Sequence, residues 1–475
     1  MRRSETSGTP GIRSRARRPR RPGPRPGREL ALLVAGIIVL AVNLRASISG
    51  LPPVFPELSS ALHLSSASIA ALAAVPVLCF AVFSGPAAPL SRRFGDERVL
   101  LAALALLAGG LLLRGAAPGS MLYPGTVLAG AAIALMNVLL PSLIKRRRPE
   151  QAGLLIGGYL LMLASGAVIG SLIAVPVFRA AGGGSGGSAW AVRLTLGLWA
   201  LPAAAAALAW LPQLRHHTRP ERPRPERPRP GAGRPGGAGT AVYRHALGWQ
   251  VAAFFGLQSL YYYGTLSWLP ILFRSRGVSA AGAGDLLALM NLGNTVTAML
   301  IPVLAHRARD QRLLIAATVL ASAGGLSGAL FAPVGGAAAW TLLLGLGQGA
   351  GLALAIFFTV ARAPDPVTAV SLSGFAQGAG YLIAAAGPLA VGFLHAATGG
   401  WTAPVLALLA VAALEFWAGW LAARARMLSP ALLGAASPAG PDGPERPDSA
   451  DGPNCPGSPA GPESPESPGG IQRNL

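Results

Sequence analysis

Arg45 is a charged side chain deep inside the first apolar run of the chain. It lies about fifteen residues into that run, which in a helix rising 1.5 Å per residue is about 22 Å. A guanidinium stays protonated and can hold a planar oxyanion through two parallel hydrogen bonds. We therefore predict that Arg45 binds an anionic group. The alternative is a structural arginine whose donors are taken by backbone carbonyls or by a helix C-terminus.

Amides and tyrosines also occur at mid-depth in the apolar runs. An amide there needs a hydrogen-bond partner, and a neighbouring helix supplies one as readily as a ligand does. An aromatic face with a hydroxyl suits a flat or small polar ligand, although only one or two of the consecutive tyrosines 261–263 can face a site. Trp268 is better explained as an interfacial anchor. The predicted site residues are Asn43, Asn137, Tyr159, Tyr263, Asn291, Gln377 and Tyr381, and the same two explanations apply to Asn294 and Gln348.

Residues suited to other chemistry are few. Glu415 in the last apolar run and His395 near the end of the preceding run are candidates for proton coupling, with structural pairing as the alternative for Glu415. Cys79 and Cys455 give neither a disulfide framework nor zinc-ligand spacing. GLGQGA (345–350) fits a nucleotide-binding pattern but lies within an apolar run with no preceding strand, which favours helix packing. The sequence predicts no cofactor, no metal site and no enzyme.

The elements that must position these residues are membrane-spanning helices. Of 475 residues, 52% are hydrophobic and only 12% are charged, about half the charged share of a soluble protein. A helix needs about 20 apolar residues to cross about 30 Å of hydrocarbon. The sequence therefore predicts an all-α polytopic membrane protein with twelve transmembrane helices. They are predicted at 30–50, 66–89, 98–117, 121–144, 152–177, 190–212, 246–273, 281–305, 313–332, 338–361, 367–394 and 402–423.

Three segments rich in proline, glycine and charge lie outside these runs and cannot bury enough apolar surface to fold alone. They divide the chain into a basic tail (1–29), a six-helix bundle (30–212), a linker (213–245), a second bundle (246–423) and a C-terminal tail (424–475). The first apolar run is too long for a signal-peptide core and continues through Arg45, so we predict no cleavage.

The positive charge indicates topology. The chain carries 39 Lys and Arg against 18 Asp and Glu, a net charge of +21. Of those 39 residues, 33 fall in the tails, the linker and every second loop. Short basic loops remain in the cytoplasm, so we predict a multi-pass protein of the plasma membrane with both termini cytoplasmic. The Lys and Arg residues are not concentrated on a polar folded face, which argues against nucleic-acid binding. Contact of the N-terminal tail with anionic lipid is an alternative role.

The two bundles repeat in sequence. A shift of 214 residues aligns RRFGDERVLLAA (92–103) with HRARDQRLLIAA (306–317). The same shift places Pro56 on Pro270 and Ser65 on Ser279, without gaps. Six helices separate equivalent positions, an even number, so the two repeats have the same orientation in the membrane. Parallel six-helix repeats indicate a carrier with its site between the halves.

With this layout, the chain resembles the major facilitator superfamily across about residues 30–423. APLSRRFGDER (88–98) is similar to the loop signature G-x-L-A-D-R-x-G-R-R. Gly95 and Arg93 match, whereas Ala88 stands in place of the first glycine and Arg92 in place of the aspartate. Asp96 or Glu97 can replace the missing carboxylate. The resemblance implies that two basic loops fasten the cytoplasmic side when the carrier opens outward. The residues assigned to that role are Arg92, Arg93, Gly95, Asp96, Arg98, Arg307, Asp310 and Arg312.

Several segments resemble the cyanate transporter and 2-nitroimidazole transporter family more closely. They include NLRASISGLPPVFPEL (43–58), MNVLLPSLIKR (136–146) and GLQSLYYYGTLSWLPILFRSRGVSAAGAG (256–284). This resemblance implies a monomeric secondary active or facilitative transporter of a small solute, either an anion or a nitro-aromatic compound, with a proton as a candidate coupling ion. Export of hydrophobic drug-like compounds is the first alternative, and a membrane-embedded receptor or enzyme is the second.

Overall fold

The computed structural model describes residues 26–183, 188–215, 242, 244–308, 310–424 and 427–428. All regular elements in these ranges are helices. The predicted tails 1–29 and 424–475 and the linker 213–245 fall largely outside the described residues. The twelve long helices are α1 (Pro26–Ser49), α2 (Ser66–Phe83), α3 (Asp96–Ala116), α4 (Pro118–Arg147), α5 (Ala152–Ala180), α6 (Ala189–Gly197 and Ala200–Trp210), α7 (Ala246–Ser275), α8 (Ala280–Arg307), α9 (Arg312–Phe331), α10 (Ala337–Ala361), α11 (Pro366–Thr398) and α12 (Thr402–Ala422).

Eleven spans in the described part of the chain are long and apolar enough to cross a membrane. The twelfth helix, α7, has 30 residues but is more polar, because it carries Gln258, Ser259 and the tyrosines 261–263. All five of these side chains are buried. A helix packed among other helices can carry polar groups that a lipid-facing helix cannot, since its neighbours supply hydrogen-bond partners. The predicted twelve-helix membrane fold is confirmed.

Several helix boundaries differ from the prediction. α2 ends at Phe83 rather than near position 89, and a separate short helix, Ala87–Phe94, follows a turn at Gly85 and Pro86. α6 is interrupted at Leu198 and Trp199. Pro202 explains the break, because its ring clashes with the Leu198 carbonyl and its nitrogen carries no hydrogen to donate to that carbonyl. A short helix, Phe55–Leu62, also lies between α1 and α2, in a segment where no helix is predicted from the sequence.

Glycines allow close packing of α1 against α5. A Cβ atom at Gly166 would lie 2.2 Å from the carbonyl oxygen of Val42, and one at Gly170 would lie 2.5 Å from that of Ala46. Both distances are far inside van der Waals contact, so only glycine fits. Small residues of this kind stabilise helix pairs in membranes by bringing the backbones together. The contact fixes the position of α1, which carries Arg45.

The repeat seen in the sequence extends through the helices. Shifts of 214 residues carry Ser66 to Ala280, Ala152 to Pro366 and Arg147 to Ala361, which are ends of equivalent helices. Because α1 to α6 and α7 to α12 run in the same order and direction, the loops fall on two faces. We call the face that carries Arg146 and Arg312 the basic face, and the face that carries Glu57 and Arg274 the opposite face.

Candidate functional site

A cavity of about 390 Å³ lies between the two halves of the bundle. Helices α1 and α5 line it from the first half, and α7, α8 and α10 line it from the second. One end is polar, with Arg45, Tyr262, Asn291, Asn294 and Thr295. The rest of the wall is apolar and continues toward the basic face; it includes Leu160, Leu163, Ala164, Met299, Leu352 and Ile356.

Arg45 is the charged residue in this lining. Its Nη1 donates a hydrogen bond to the hydroxyl of Tyr262 at 3.2 Å, and its guanidinium lies 5.7 Å from the centre of the Tyr262 ring. Within the described part of the chain it has no salt bridge and no second hydrogen bond. A guanidinium has five N–H donors, so most of them remain available at the cavity surface. The arrangement can hold an oxyanion at the cost of little rearrangement.

A chain of hydrogen bonds holds the polar end together. The Tyr262 hydroxyl donates to Oδ1 of Asn291 at 3.3 Å, and Nδ2 of Asn291 donates to Oγ of Ser171 at 3.3 Å. Ser171 Oγ in turn lies 3.3 Å from the Ser49 carbonyl oxygen, to which it donates. These bonds join α1, α5, α7 and α8. Arg45, Tyr262 and Asn291 therefore both line the cavity and take part in bonds between the two halves.

Tyrosines converge on Arg45. The hydroxyls of Tyr159, Tyr262, Tyr263 and Tyr381 all lie near its guanidinium. Tyr159 and Tyr263 are buried, and the Tyr263 ring packs edge-on against Tyr262 with centroids 5.1 Å apart. Three of the predicted site tyrosines therefore lie around the predicted arginine, although none of the three lines the cavity directly.

The predicted amides are more dispersed. Asn291 lines the cavity, and Asn137 accepts a hydrogen bond from the Tyr159 hydroxyl at 3.0 Å. Asn43 is 1% exposed and does not line the cavity, because two residues along a helix turn it about 200° away from Arg45. Gln377 is exposed and donates to Ser373 Oγ at 2.8 Å.

The sequence predicts Tyr263 as a site residue but does not predict its neighbour Tyr262, which bonds Arg45 directly. Which of three consecutive tyrosines faces a site depends on the rotation of α7, and nothing in the local sequence sets that rotation. Asn294 and Thr295 also line the cavity. The sequence does not decide between packing and binding for Asn294, and it does not indicate Thr295 because threonine is common in membrane helices.

The two candidates for proton coupling lie outside the cavity lining. Glu415 of α12 is buried beside α10 and near Tyr261. A Cβ at Gly351 of α10 would be 3.3 Å from its Oε1. The ring of His395 stacks on Trp401 with centroids 4.1 Å apart, toward the opposite face. Among the described residues, the cavity lining includes no carboxylate and no histidine.

The first basic loop is tied to α4. Asp96 is fully buried, accepts a hydrogen bond from Ser91 Oγ and pairs with Arg146. Glu97 pairs with Arg147 at 3.4 Å. Gly95, between the short helix and α3, has φ 87°, a conformation that favours glycine. Arg92, Arg93 and Arg98 are exposed.

The equivalent loop in the second half makes weaker contacts. Asp310 is exposed, and its Oδ1 accepts from the Arg312 backbone N–H at 2.9 Å. The Arg312 guanidinium lies 5.1 Å from the Trp420 ring centre, and Arg307 is exposed. Partial burial lowers the pKa of Arg362, and the Asp310 carboxylate opposes that shift.

The two halves are joined on the opposite face. Nη1 of Arg274, at the end of α7, donates to Oε1 of Glu57 at 2.6 Å, forming an ion pair between the halves. A Cβ at Gly284 of α8 would lie 2.9 Å from the Ser171 carbonyl oxygen of α5, so these helices also approach closely here. The cavity is therefore closed toward the opposite face.

Residues 37–388 match the model of the Major Facilitator Superfamily. This chain belongs to the major facilitator superfamily. It is 38% identical over 380 residues to the 2-nitroimidazole transporter of Escherichia coli (strain K12), covering 80% of this chain and 92% of that protein. It is 28% identical over 370 residues to the cyanate transport protein CynX of the same organism, covering 76% and 90%. Within the superfamily it therefore groups with these transporters, as the sequence motifs predicted.

Solved structures support the fold. A bacterial homolog of the human lysosomal transporter Spinster, in an inward-facing and unoccupied conformation, matches with a TM-score of 0.68 at 16% identity. The match covers 85% of this chain and 98% of that one. The protein is thus a multi-pass membrane transporter of the major facilitator type.

Proposed function

We propose that this transporter carries a small solute, either an anion or a nitro-heterocycle, by exposing the cavity alternately to the two sides of the membrane. The observation that carries the proposal is the Arg45 guanidinium at the polar end of the cavity, with one hydrogen bond to protein and no salt bridge among the described residues. A lone charge in a membrane protein is costly unless it serves a partner or a pathway. The names of the two relatives fit this class of solute.

We assign the basic face to the cytoplasm of a plasma-membrane protein, with both termini on that side, because cytoplasmic loops carry the excess of Lys and Arg. The described conformation then opens inward and is closed outside by the contacts around Glu57 and Arg274. In the outward-open state, the loops at 92–98 and 307–312 fasten the cytoplasmic side. We propose that the working unit is a monomer, since each half supplies part of one cavity.

The cavity lining supports a proposal about how transport is coupled. Glu415 and His395 lie away from the cavity, so neither is placed to exchange a proton directly with a solute bound at Arg45. We infer facilitated diffusion, solute exchange, or a proton that travels on the solute itself. Glu415 acts as a coupling group only if α12 moves it toward the cavity.

Replacement of Arg45 tests the proposal. In vesicles reconstituted with purified protein, Arg45→Ala should abolish flux of labelled cyanate or of 2-nitroimidazole, whichever the unaltered protein carries. Arg45→Lys keeps the charge but loses the planar fork, so it should recover only part of the flux. Thermal melting of each variant in detergent reports folding separately. Unchanged flux in a folded Arg45→Ala protein would remove Arg45 from the site.

Export of hydrophobic compounds is the second candidate, and the apolar wall of the cavity favours it. That function would leave Arg45 dispensable. Two measurements in cells with and without the gene separate export from anion transport. One is resistance to nitroimidazoles and unrelated drugs, and the other is uptake of cyanate. Broad drug resistance that survives Arg45→Ala supports export, whereas flux that depends on Arg45 supports the first proposal.

A further inference from the structure

Building on the proposed function, we propose that the preferred solute is an organic monocarboxylate with a flat apolar body, such as an aromatic carboxylate. Its carboxylate binds Arg45 at the polar end of the cavity. Its body lies along the apolar wall formed by Leu163, Met299 and Leu352. Three properties of the cavity support this class of solute: its volume, its unbalanced charge and the order of its polar and apolar parts.

The volume is too large for a three-atom anion. The cavity measures about 390 Å³, within the range of roughly 300–1,000 Å³ that holds larger organic ligands. A water molecule has a share of about 30 Å³ in the liquid, so an anion as small as cyanate would leave most of the apolar wall facing water. A ring fills that space and removes apolar surface from water, which is favourable in proportion to the area covered.

The unbalanced positive charge of Arg45 favours a carboxylate over a nitro group of the same planar shape. Each presents two oxygens to the guanidinium, but only the carboxylate brings the negative charge that Arg45 lacks. No carboxylate lines the cavity in the described part of the chain. Charge-assisted hydrogen bonds between a guanidinium and a carboxylate are about twice as strong as neutral ones. A neutral ligand therefore leaves the charge of Arg45 unbalanced.

The order of polar and apolar groups sets the orientation of the ligand. Tyr262 and Asn291 already use their polar atoms in the chain that ends at Ser171, so they hold Arg45 rather than compete for the ligand. Thr295 donates to the Asn291 carbonyl oxygen at 2.8 Å and is likewise occupied. The donors that remain at the polar end belong to Arg45 and to the side-chain amide of Asn294, which has no hydrogen bond among the described residues. The ligand is thus held at its polar end by one cation beside one neutral amide, and elsewhere by shape.

Isothermal titration of the purified full-length chain tests this inference with four probes: benzoate, benzamide, cyanate and 2-nitroimidazole. Benzamide matches benzoate in shape without its charge, and cyanate matches its charge without the ring. Benzoate should bind at least about tenfold more tightly than either one, because each lacks one of the two contacts. Arg45→Gln should abolish the preference for benzoate over benzamide.

A cavity-filling variant tests the apolar wall. Ala164→Leu adds bulk to the lining and should weaken benzoate binding at least about fivefold, and by a larger factor than it weakens cyanate binding. Ala105→Leu makes the same change on the exposed side of α3, outside the cavity lining, and should alter neither.

The outcomes separate the inference from the proposed function. If cyanate or 2-nitroimidazole binds through Arg45 while benzoate binds no better than benzamide, the carboxylate assignment is wrong and the proposed function stands. If cyanate binds as tightly as benzoate, the role of the apolar wall is wrong. If none of the four probes binds the folded protein, the proposed function fails together with the inference.

Discussion

The ion pair between Glu57 and Arg274 should set the balance between the two open states of the transporter. The pair joins the halves on the opposite face, and the cavity is closed on that side. When the halves separate there, the pair must break. Glu57→Gln or Arg274→Gln should therefore favour the state that opens on the opposite face.

The magnitude follows from distance and exposure. Nη1 and Oε1 lie 2.6 Å apart, with the side chains 28% and 15% exposed. Two unit charges at about 4 Å attract by about 4 kcal/mol at an effective dielectric constant of 20. A partly exposed pair lies between an exposed pair, at roughly 0.2–1 kcal/mol, and a buried one, whose breaking costs roughly 3–5 kcal/mol, so we take about 1–2 kcal/mol. The ratio of the two states should then change by about 5–30-fold.

Thiol labelling measures this ratio. In a background with Cys79→Ala and Cys455→Ser, Thr295→Cys places a single thiol in the cavity. A membrane-impermeant maleimide added on the opposite face reacts only when the cavity opens there. If opening is fast relative to labelling, the rate follows the population, and Glu57→Gln should label about 5–30-fold faster than its parent.

Two controls distinguish the ion pair from general loosening. Arg276 lies two residues after Arg274 but donates to the carbonyls of Ala329 and Ala332 within the same half. Arg276→Gln should leave the labelling rate unchanged. Exchanging the two charges, with Glu57→Arg and Arg274→Glu together, should restore slow labelling. Equal rates for Glu57→Gln and its parent would refute the assignment of this pair to closure.

Three further predictions concern packing, coupling and the basic face. Gly166→Ala should lower the free energy of unfolding by about 1–3 kcal/mol, because a Cβ atom there would meet the backbone of α1. Gly158→Ala has open space around it and should be neutral or stabilising, and thermal melting of the two variants in detergent makes the comparison. Glu415→Gln should leave the dependence of flux on pH unchanged, since this buried side chain lies outside the cavity lining, and a shifted pH profile in vesicles would make it a coupling group. Asp96→Asn should cost about 1–3 kcal/mol, because it leaves a buried hydrogen-bonding group without its full set of partners. Asp310→Asn at the equivalent exposed position should cost under about 0.5 kcal/mol, and similar melting shifts for both would contradict the asymmetry of the two loops.

The sequence alone predicts the architecture because hydrophobicity and charge are local properties of the chain. A long apolar run requires a helix in the membrane, since no water is available to bond its backbone. The excess of Lys and Arg in alternate loops indicates their side, and the 214-residue repeat indicates two equivalent bundles. Arg45 is identifiable for the same reason, as a charge where the surrounding sequence is apolar.

The contacts of the site depended on how the two halves pack. Arg45 meets Tyr262, and Glu57 meets Arg274, across 217 residues of chain in each case. No local pattern encodes such pairs, because they depend on the rotation and approach of helices from different halves. The same packing turned Asn43 into the interior, placed Glu415 away from the cavity and closed the opposite face. The sequence thus determined the helices and the charge they carry, and the tertiary structure decided which side chains share a cavity, because that depends on distances between helices far apart in the chain.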